Sequence, residues 1–322
     1  EPHLWHGNTL SGVETYADLF RGAPQFFDCV LMNPPFGGKE RKEAQTQFDY
    51  KTNATQVLFL QHVLSSMRTG SKCGIVLDEG VLFRTNETAF VQTKRKLLEE
   101  CNVWCIVSLA GGVFSSAGAG VKTNLMFFTK GRPTETIWYY DLSDVKVGKK
   151  TPLTQSHFED FFRLLPAHLP KSRPHTSRAK PGTRSGPPTM DSERSWTVDF
   201  SAKLQQALEE ARPHRDRSAE LTARATALDE SLRARRRAKS ATAEELAALE
   251  EQWKGVLREA RDAQAKAEAI EDAVYDLKAV NPNRANNEDV RTAAELLTII
   301  AEQGREADAA LDRLRALIAT QP

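Results

Sequence analysis

The sequence predicts an α/β fold with a mostly parallel sheet, followed by an α-helical, coiled-coil-like C-terminal region. Three observations predict it. Short continuous apolar runs alternate with helical patterns in the first half of the chain. The composition then shifts to Pro, Gly, Ser and basic residues, and heptad-spaced Leu and Ala residues take over beyond that stretch.

The apolar runs lie at Phe27 to Met32, Cys73 to Leu77, Val103 to Val107 and Leu125 to Phe128. Continuous runs, unlike alternating ones, suit strands covered on both faces. Between them, Val57, Leu60, Val63, Leu64 and Met67 share one helical face, as do Phe90, Lys94, Leu97, Leu98 and Cys101. Asn86 is the expected N-cap of the second helix, with Glu87 in its first turn. Strands alternating with helices indicate parallel pairing. A short amphipathic helix from His157 to Leu165 closes this part, so the first domain is expected over residues 1–165.

Residues 166–192 are expected to be a flexible basic linker. Pro166 to Met190 carries Lys171, Arg173, Arg178, Lys180 and Arg184 and no acid, a composition that cannot bury a core. Its charge suits DNA phosphates, or simply a solvated loop. Residues 193–322 form the expected helical domain for subunit interaction. Leu221, Ala225, Leu228 and Leu232, then Leu246, Leu249, Trp253, Val256 and Ala260, are heptad seams. Thr242 and Glu245 form a capping-box pattern. The basic run Arg233 to Arg237 suits the preceding helix C-terminus, so an antiparallel hairpin is expected from about Ser195. Asn281-Pro282-Asn283 marks a turn. A further helix from about Asp289 carries Leu296, Leu297, Ile300, Leu311, Leu314 and Leu317.

The 322 residues, 40% hydrophobic and 27% charged, exclude a disordered tail, and a net charge of +1 singles out no partner. No apolar run approaches the ~18 residues of a membrane span. The opening Glu1-Pro2-His3 has neither signal-peptide character nor an initial methionine, which predicts a sequence that begins inside a longer chain. The four cysteines, Cys29, Cys73, Cys101 and Cys105, read as buried thiols of a reducing cytoplasm, the expected location. Cys101 and Cys105 have no second ligand pair, so no metal is expected. The stretch Gly118 to Thr123 lacks the order of a phosphate loop.

Asn33-Pro34-Pro35-Phe36 directly follows the strand ending at Met32, and sites in such sheets form beyond the carboxyl ends of strands. The residue types address one problem. An exocyclic amino group of adenine is a poor nucleophile because its lone pair is delocalised into the ring. The Asn33 side-chain oxygen and the Pro34 carbonyl can each accept one amino hydrogen, turning the lone pair toward an electrophile. Two prolines restrict the backbone, so these acceptors are preorganised. Phe36 supplies a stacking face worth about 1–3 kcal/mol, which offsets much of the cost of extruding the base. A sulfonium methyl donor needs no strong base, which agrees with the lack of a Ser-His-Asp or Cys-His constellation. The bland alternative is a rigid Asn-Pro turn.

Phe27 to Glu40 resembles motif IV of amino-methyltransferases, in the form found in modification subunits of type I restriction–modification systems. Gly74 to Phe83, Gly112-Val113-Phe114 with Gly120 to Leu125, Asp191 to Trp196, and Asp276 to Asn283 are similar to the same subunits. The resemblance covers nearly the whole chain. It implies a Rossmann-like class I methyltransferase sheet lacking its N-terminal strands. It also implies a site-specific DNA adenine-N6 methyltransferase that uses S-adenosyl-L-methionine. Asn33, Pro34, Pro35 and Phe36 then hold the flipped adenine, and Phe114 is a second aromatic contact. The implied partners are double-stranded DNA, a specificity subunit, a second modification subunit and a restriction subunit, with no membrane. Two departures leave open whether this chain binds the cofactor and acts alone. No strand and glycine turn precedes Asn33, and Asn8 stands where an acid is expected near the cofactor adenine. Two alternatives remain at this point: a non-catalytic fragment that binds a specificity subunit, or an N-methyltransferase acting on glutamine or RNA.

Overall fold

The computed structural model describes residues 8–11, 24–114, 120–148, 150–169, 192–238 and 240–283, and beyond these 301, 304, 305, 308 and 311. Glu1–Pro282 and Asn283–Pro322 form two compact units, and the elements below belong to the first. In chain order they are a 3-10 turn (Thr9–Ser11), β1 (Phe27–Met32), α1 (Lys42–Gln45), α2 (Thr55–Ser66), β2 (Met67–Asp78), α3 (Glu79–Phe83) and α4 (Thr88–Glu100). Then come β3 (Cys101–Ser108), β4 (Thr123–Lys130), β5 (Thr136–Asp141), a 3-10 turn (Gln155–Phe158), α5 (Glu159–His168), β6 (Ser195–Asp199), α6 (Phe200–Ala238) and α7 (Ala243–Ala273).

The six strands form one sheet in the order β1-β2-β4-β3-β5-β6. β1 runs parallel to β2, and β3 to β5. β4 is antiparallel to both its neighbours, and β6 is antiparallel to β5. The sheet is therefore mixed, where a mostly parallel one was expected. A continuous apolar run reports that a strand is covered, and carries no information on its direction.

β5 and β6 were absent from the sequence reading, and β6 corrects the expected start of the hairpin near Ser195. Trp196 explains the strand: its ring stacks flat on Tyr139 of β5, with centroids 5.3 Å apart and planes at 6°. Both rings are buried, and the helix starts only at Phe200. The N-cap of α4 is also corrected. It is Glu87, one residue after Asn86, and its carboxylate pairs with Arg84 at 3.1 Å and caps no N–H.

β1 is one of the sheet's two outer strands among the described residues. Val30 and Met32 pack against the main core, while Cys29 is exposed and Leu31 is 82% exposed. The expectation of cover on both faces fails here. Side chains alternate across a strand, and among the described residues nothing shields the second face. The expectation that all four thiols are buried fails at Cys29 for the same reason.

The main core lies between one sheet face and α2 and α4, with Ile75, Leu77, Leu97, Val103, Met126 and Phe128 all nearly inaccessible. Such burial contributes roughly 1.5–3 kcal/mol per large side chain. A second core, including Val107, Trp138, Tyr140, Phe161 and Leu164, lies between the other face and α5.

α6 and α7 form the expected antiparallel hairpin. Leu221 and Ala225 pack on Val256 and Ala260, with Leu228 and Trp253 alongside, so these members of the two expected seams meet. The Ser218 hydroxyl donates to the Ala260 carbonyl at 3.0 Å, and Arg236 pairs with Glu250 at 2.7 Å. The capping box is formed: Thr242 Oγ1 accepts from Glu245 N–H at 3.2 Å, and Glu245 accepts from Thr242 N–H at 2.9 Å. The hairpin's roots are tied to α3, β5 and α4. Leu277 N–H donates to the Leu82 carbonyl at 3.1 Å, and the Tyr139 hydroxyl donates to the Leu277 carbonyl at 3.4 Å. Arg95 pairs with Asp272 at 3.3 Å.

Lys171 to Arg184 of the expected linker lie outside the described residues, as do Leu296, Leu297, Ile300, Leu314 and Leu317 of the last expected helix. Residues 301, 304, 305, 308 and 311 of that stretch are helical. Among the described residues no helix is long and apolar enough to cross a membrane.

Candidate active site

The Asn33–Phe36 corner leaves the end of β1. Pro34 is buried, Asn33 and Pro35 are exposed, and Phe36 is half-buried. The alternation explains this: Val30 and Met32 face the main core, and Pro34 continues that side into the loop. Asn33 is thereby turned outward, and no described residue engages its side chain. Gly37 follows at φ +66°, a conformation that side-chain-bearing residues rarely adopt, and reverses the chain.

The structure brings Phe36 and Phe114 together. Their ring centroids lie 5.1 Å apart with planes at 56°. Phe114 arrives from a different element, the loop after β3, through Gly112 at φ +83°. Two of the expected contacts, far apart in sequence, thus meet on the loop that Asn33 opens. The loop that carries Phe114 returns to the sheet next to α3, where Lys122 pairs with Glu79 at 2.8 Å and Glu79 N–H donates to the Lys122 carbonyl at 2.9 Å.

Asn8 is placed elsewhere, on the 3-10 turn. Its side-chain oxygen accepts Leu10 N–H at 3.0 Å, and Leu10 is buried against Ala44 and Leu58. The amide donor alone is left outward, whereas the acid expected there would offer an acceptor to a ribose hydroxyl. Asn33 and the aromatic pair thus lie at the end of β1, and Asn8 lies on the separate 3-10 turn.

Sequence reasoning missed a buried polar set at the same end of the sheet. Gln56 Nε2, Ser108 Oγ, Thr123 Oγ1 and both amide atoms of Asn124 are buried with no hydrogen-bond partner among the described residues. Leu77, Asn124 and Ser108 form one row across β2, β4 and β3. A Gln at the first turn of a helix, or an Asn opening a strand, ordinarily faces water, so nothing in one sequence marks these as buried.

Ionisable chemistry contributes little. Burial pushes the Cys73 and Cys101 thiols up to about 12, and that of Cys105 well above its ordinary value, so these sulfurs stay protonated and inert. Among the described residues no cluster of His, Cys, Asp and Glu is disposed to hold a metal ion.

Residues 2–178 match the family model described as N-6 DNA Methylase. Over 138 residues the chain is 40% identical to the type I restriction enzyme EcoEI methylase subunit of Escherichia coli, a match covering 42% of this chain and 26% of that protein. It is 32% identical over 175 residues to the EcoKI methylase subunit of Escherichia coli K12, covering 51% of this chain and 32% of that one. The chain thus spans about a third or less of the curated relatives it matches. A solved chain from work on complex assembly and conformational transition of the type I R-M system is similar over 100% of this chain and 50% of its own. The TM-score there is 0.54, at 27% identity.

Proposed function

Because the chain belongs to the N-6 DNA methylase family, we propose that it is the target-base-holding part of a type I modification subunit. In this reading it presents a flipped adenine of double-stranded DNA for methylation at N6. The observation that carries this is the exposed Asn33 side chain beside the Phe36–Phe114 pair at the carboxyl end of β1. Asn33 Oδ1 and the Pro34 carbonyl accept the two amino hydrogens. Pro34, buried, holds the corner still, and the two phenyl rings offer the unstacked purine an apolar wall. S-adenosyl-L-methionine supplies the methyl group when bound. The displaced proton needs no strong base, because the amine becomes acidic once alkylated. Asn8 is proposed as a contact at the margin of that cofactor's site, through its amide nitrogen. Residues 1–165 are proposed as the catalytic part, 166–192 as a basic linker and 193–322 as the region that meets a specificity subunit. A second modification subunit and a restriction subunit complete the proposed assembly.

Asn33→Ala in the assembled modification enzyme tests the mechanism. Loss of one preorganised polar partner lowers methyl incorporation by about 10²-fold or more; a wild-type rate removes Asn33 from the chemistry. One observation favours a second reading, a non-catalytic fragment that only docks a specificity subunit. It is the uncovered outer face of β1, with Leu31 82% exposed. Calorimetry of this chain with S-adenosyl-L-methionine separates the two, since micromolar or tighter binding by the chain alone contradicts the second.

A further inference from the structure

The corner owes its anchorage to α2. The Gly38 carbonyl accepts Thr55 N–H at 3.2 Å, at a helix start that no side chain caps. Helices leave their first N–H groups unpartnered, and here the tail of the Asn33–Phe36 loop satisfies one. Glu40 N–H donates to the Asn53 carbonyl at 2.8 Å, and the Thr55 hydroxyl donates to the Glu40 carboxylate at 3.2 Å. Contact is so close that a Cβ on Gly38 would lie 2.5 Å from Thr55 Oγ1. One residue further on, Gln56 is 4% exposed, and its Oε1 accepts Asp78 N–H at 2.9 Å where β2 turns into α3. Consecutive residues of one helical turn therefore grip the corner's tail and the end of the neighbouring strand.

We propose that Thr55 and Gln56 are positioning residues that lock the Asn33–Phe36 corner to the end of β2. The role rests on reading that corner as the holder of the adenine amine. Neither residue needs to touch the base. Thr55 ties down Gly38 and Glu40, and Gln56 ties Thr55's helical turn to Asp78. The surroundings agree with a role beyond folding. Gln56 Nε2, the Asn124 amide and Ser108 Oγ are buried without partners among the described residues. Such groups weaken a fold and are tolerated where function requires them.

The test has two arms. In the 322-residue chain, Thr55→Val and Gln56→Leu are followed by hydrogen–deuterium exchange over residues 33–40 and 76–80. Both variants are expected to speed exchange at Glu40 and its neighbours by about tenfold, with the helical circular dichroism retained. Unchanged exchange over 33–40 in Gln56→Leu overturns the lock, whatever the enzyme does. In the assembled modification enzyme, each variant is expected to lower kcat by about tenfold while KM for DNA stays within about twofold. Thr55→Ser, which keeps the hydroxyl, restores kcat. An unchanged kcat, or equal losses in kcat and DNA affinity, counts against positioning. Asn33→Ala run in parallel separates the two ideas: a full rate there, with the exchange effect present, sinks the adenine reading and leaves the mechanical lock standing.

Discussion

Lys94 makes the sharpest stability prediction. It lies on the otherwise apolar face of α4 and is 1% exposed. Its ammonium donates to the Leu82 carbonyl at 2.7 Å and the Arg84 carbonyl at 2.8 Å, the carbonyls ending α3. Burial pulls its pKa from 10.5 down to about 7, against the attraction of Asp276 and Asp272, with Lys203 adding a little repulsion. At about 1.4 kcal/mol per pH unit, charging this amine inside the fold costs on the order of 5 kcal/mol. Below about pH 7 both folded and unfolded chains hold the proton and that cost is fully present. Between about 7 and 10.5 the unfolded chain holds a proton that the folded chain has released, so stability rises with pH by up to about 1.4 kcal/mol per unit. The neutral amine still has two hydrogens for its two carbonyls. Lys94→Met removes the titration and this donor from both carbonyls, of which Leu82 keeps the Leu277 N–H. Urea unfolding from pH 6 to 9.5, read by the fluorescence of buried Trp138 and Trp196, gives the difference between the two proteins. Buried thiols titrate in the opposite sense above pH 9 but do so in both, so they cancel. The wild type is expected to gain about 3 kcal/mol on Lys94→Met across this range. Parallel stability curves would refute the assignment.

Phe114→Ala removes one wall of the aromatic pair, and is expected to cost about 1–3 kcal/mol of base capture; a 2-aminopurine at the target position reports it as reduced fluorescence in the assembled enzyme. Gly38→Ala should destabilise the chain by about 1–3 kcal/mol through the close approach to Thr55, measured as a lower urea midpoint. Asn124→Leu replaces an unpartnered buried amide with an apolar group of similar size. Stability should stay level or rise by about 1–2 kcal/mol, and a loss larger than 2 kcal/mol would mean that the amide is paired in solution. Leu221→Ala empties the hairpin seam, where Leu221 is 2% exposed, and is expected to cost about 2–4 kcal/mol as the Trp253 emission shifts.

Local chemistry was the legible part of this fold. The capping box at Thr242 and Glu245, the heptad seams and the helical face of α4 depend on neighbours a few residues away, so spacing reveals them. Strand direction was not legible, because β4 and β2 carry the same kind of apolar run while lying antiparallel. Trp196 was read with the helices because it borders an Ala- and Glu-rich stretch; its partner, Tyr139, is 57 residues away in the chain and pairs with it in register. Glu87 holds the N-cap position in place of Asn86, and its carboxylate goes to Arg84 and caps nothing, an outcome that propensity does not weigh.

By itself the sequence determined the chemistry on offer at the corner: an amide oxygen, two rigid prolines and a phenyl ring in four consecutive residues. It also determined the helical hairpin, since both follow from covalent neighbours. Only the tertiary structure decided that Phe114 stands 5.1 Å from Phe36. It alone decided that Thr55 meets the corner's tail while Gln56 meets the end of β2, and that β1 lies at the sheet's edge with Leu31 open. Those outcomes depend on which strands lie side by side and on what covers them. The close packing of distant segments sets both, and the pattern within any one segment does not carry that information.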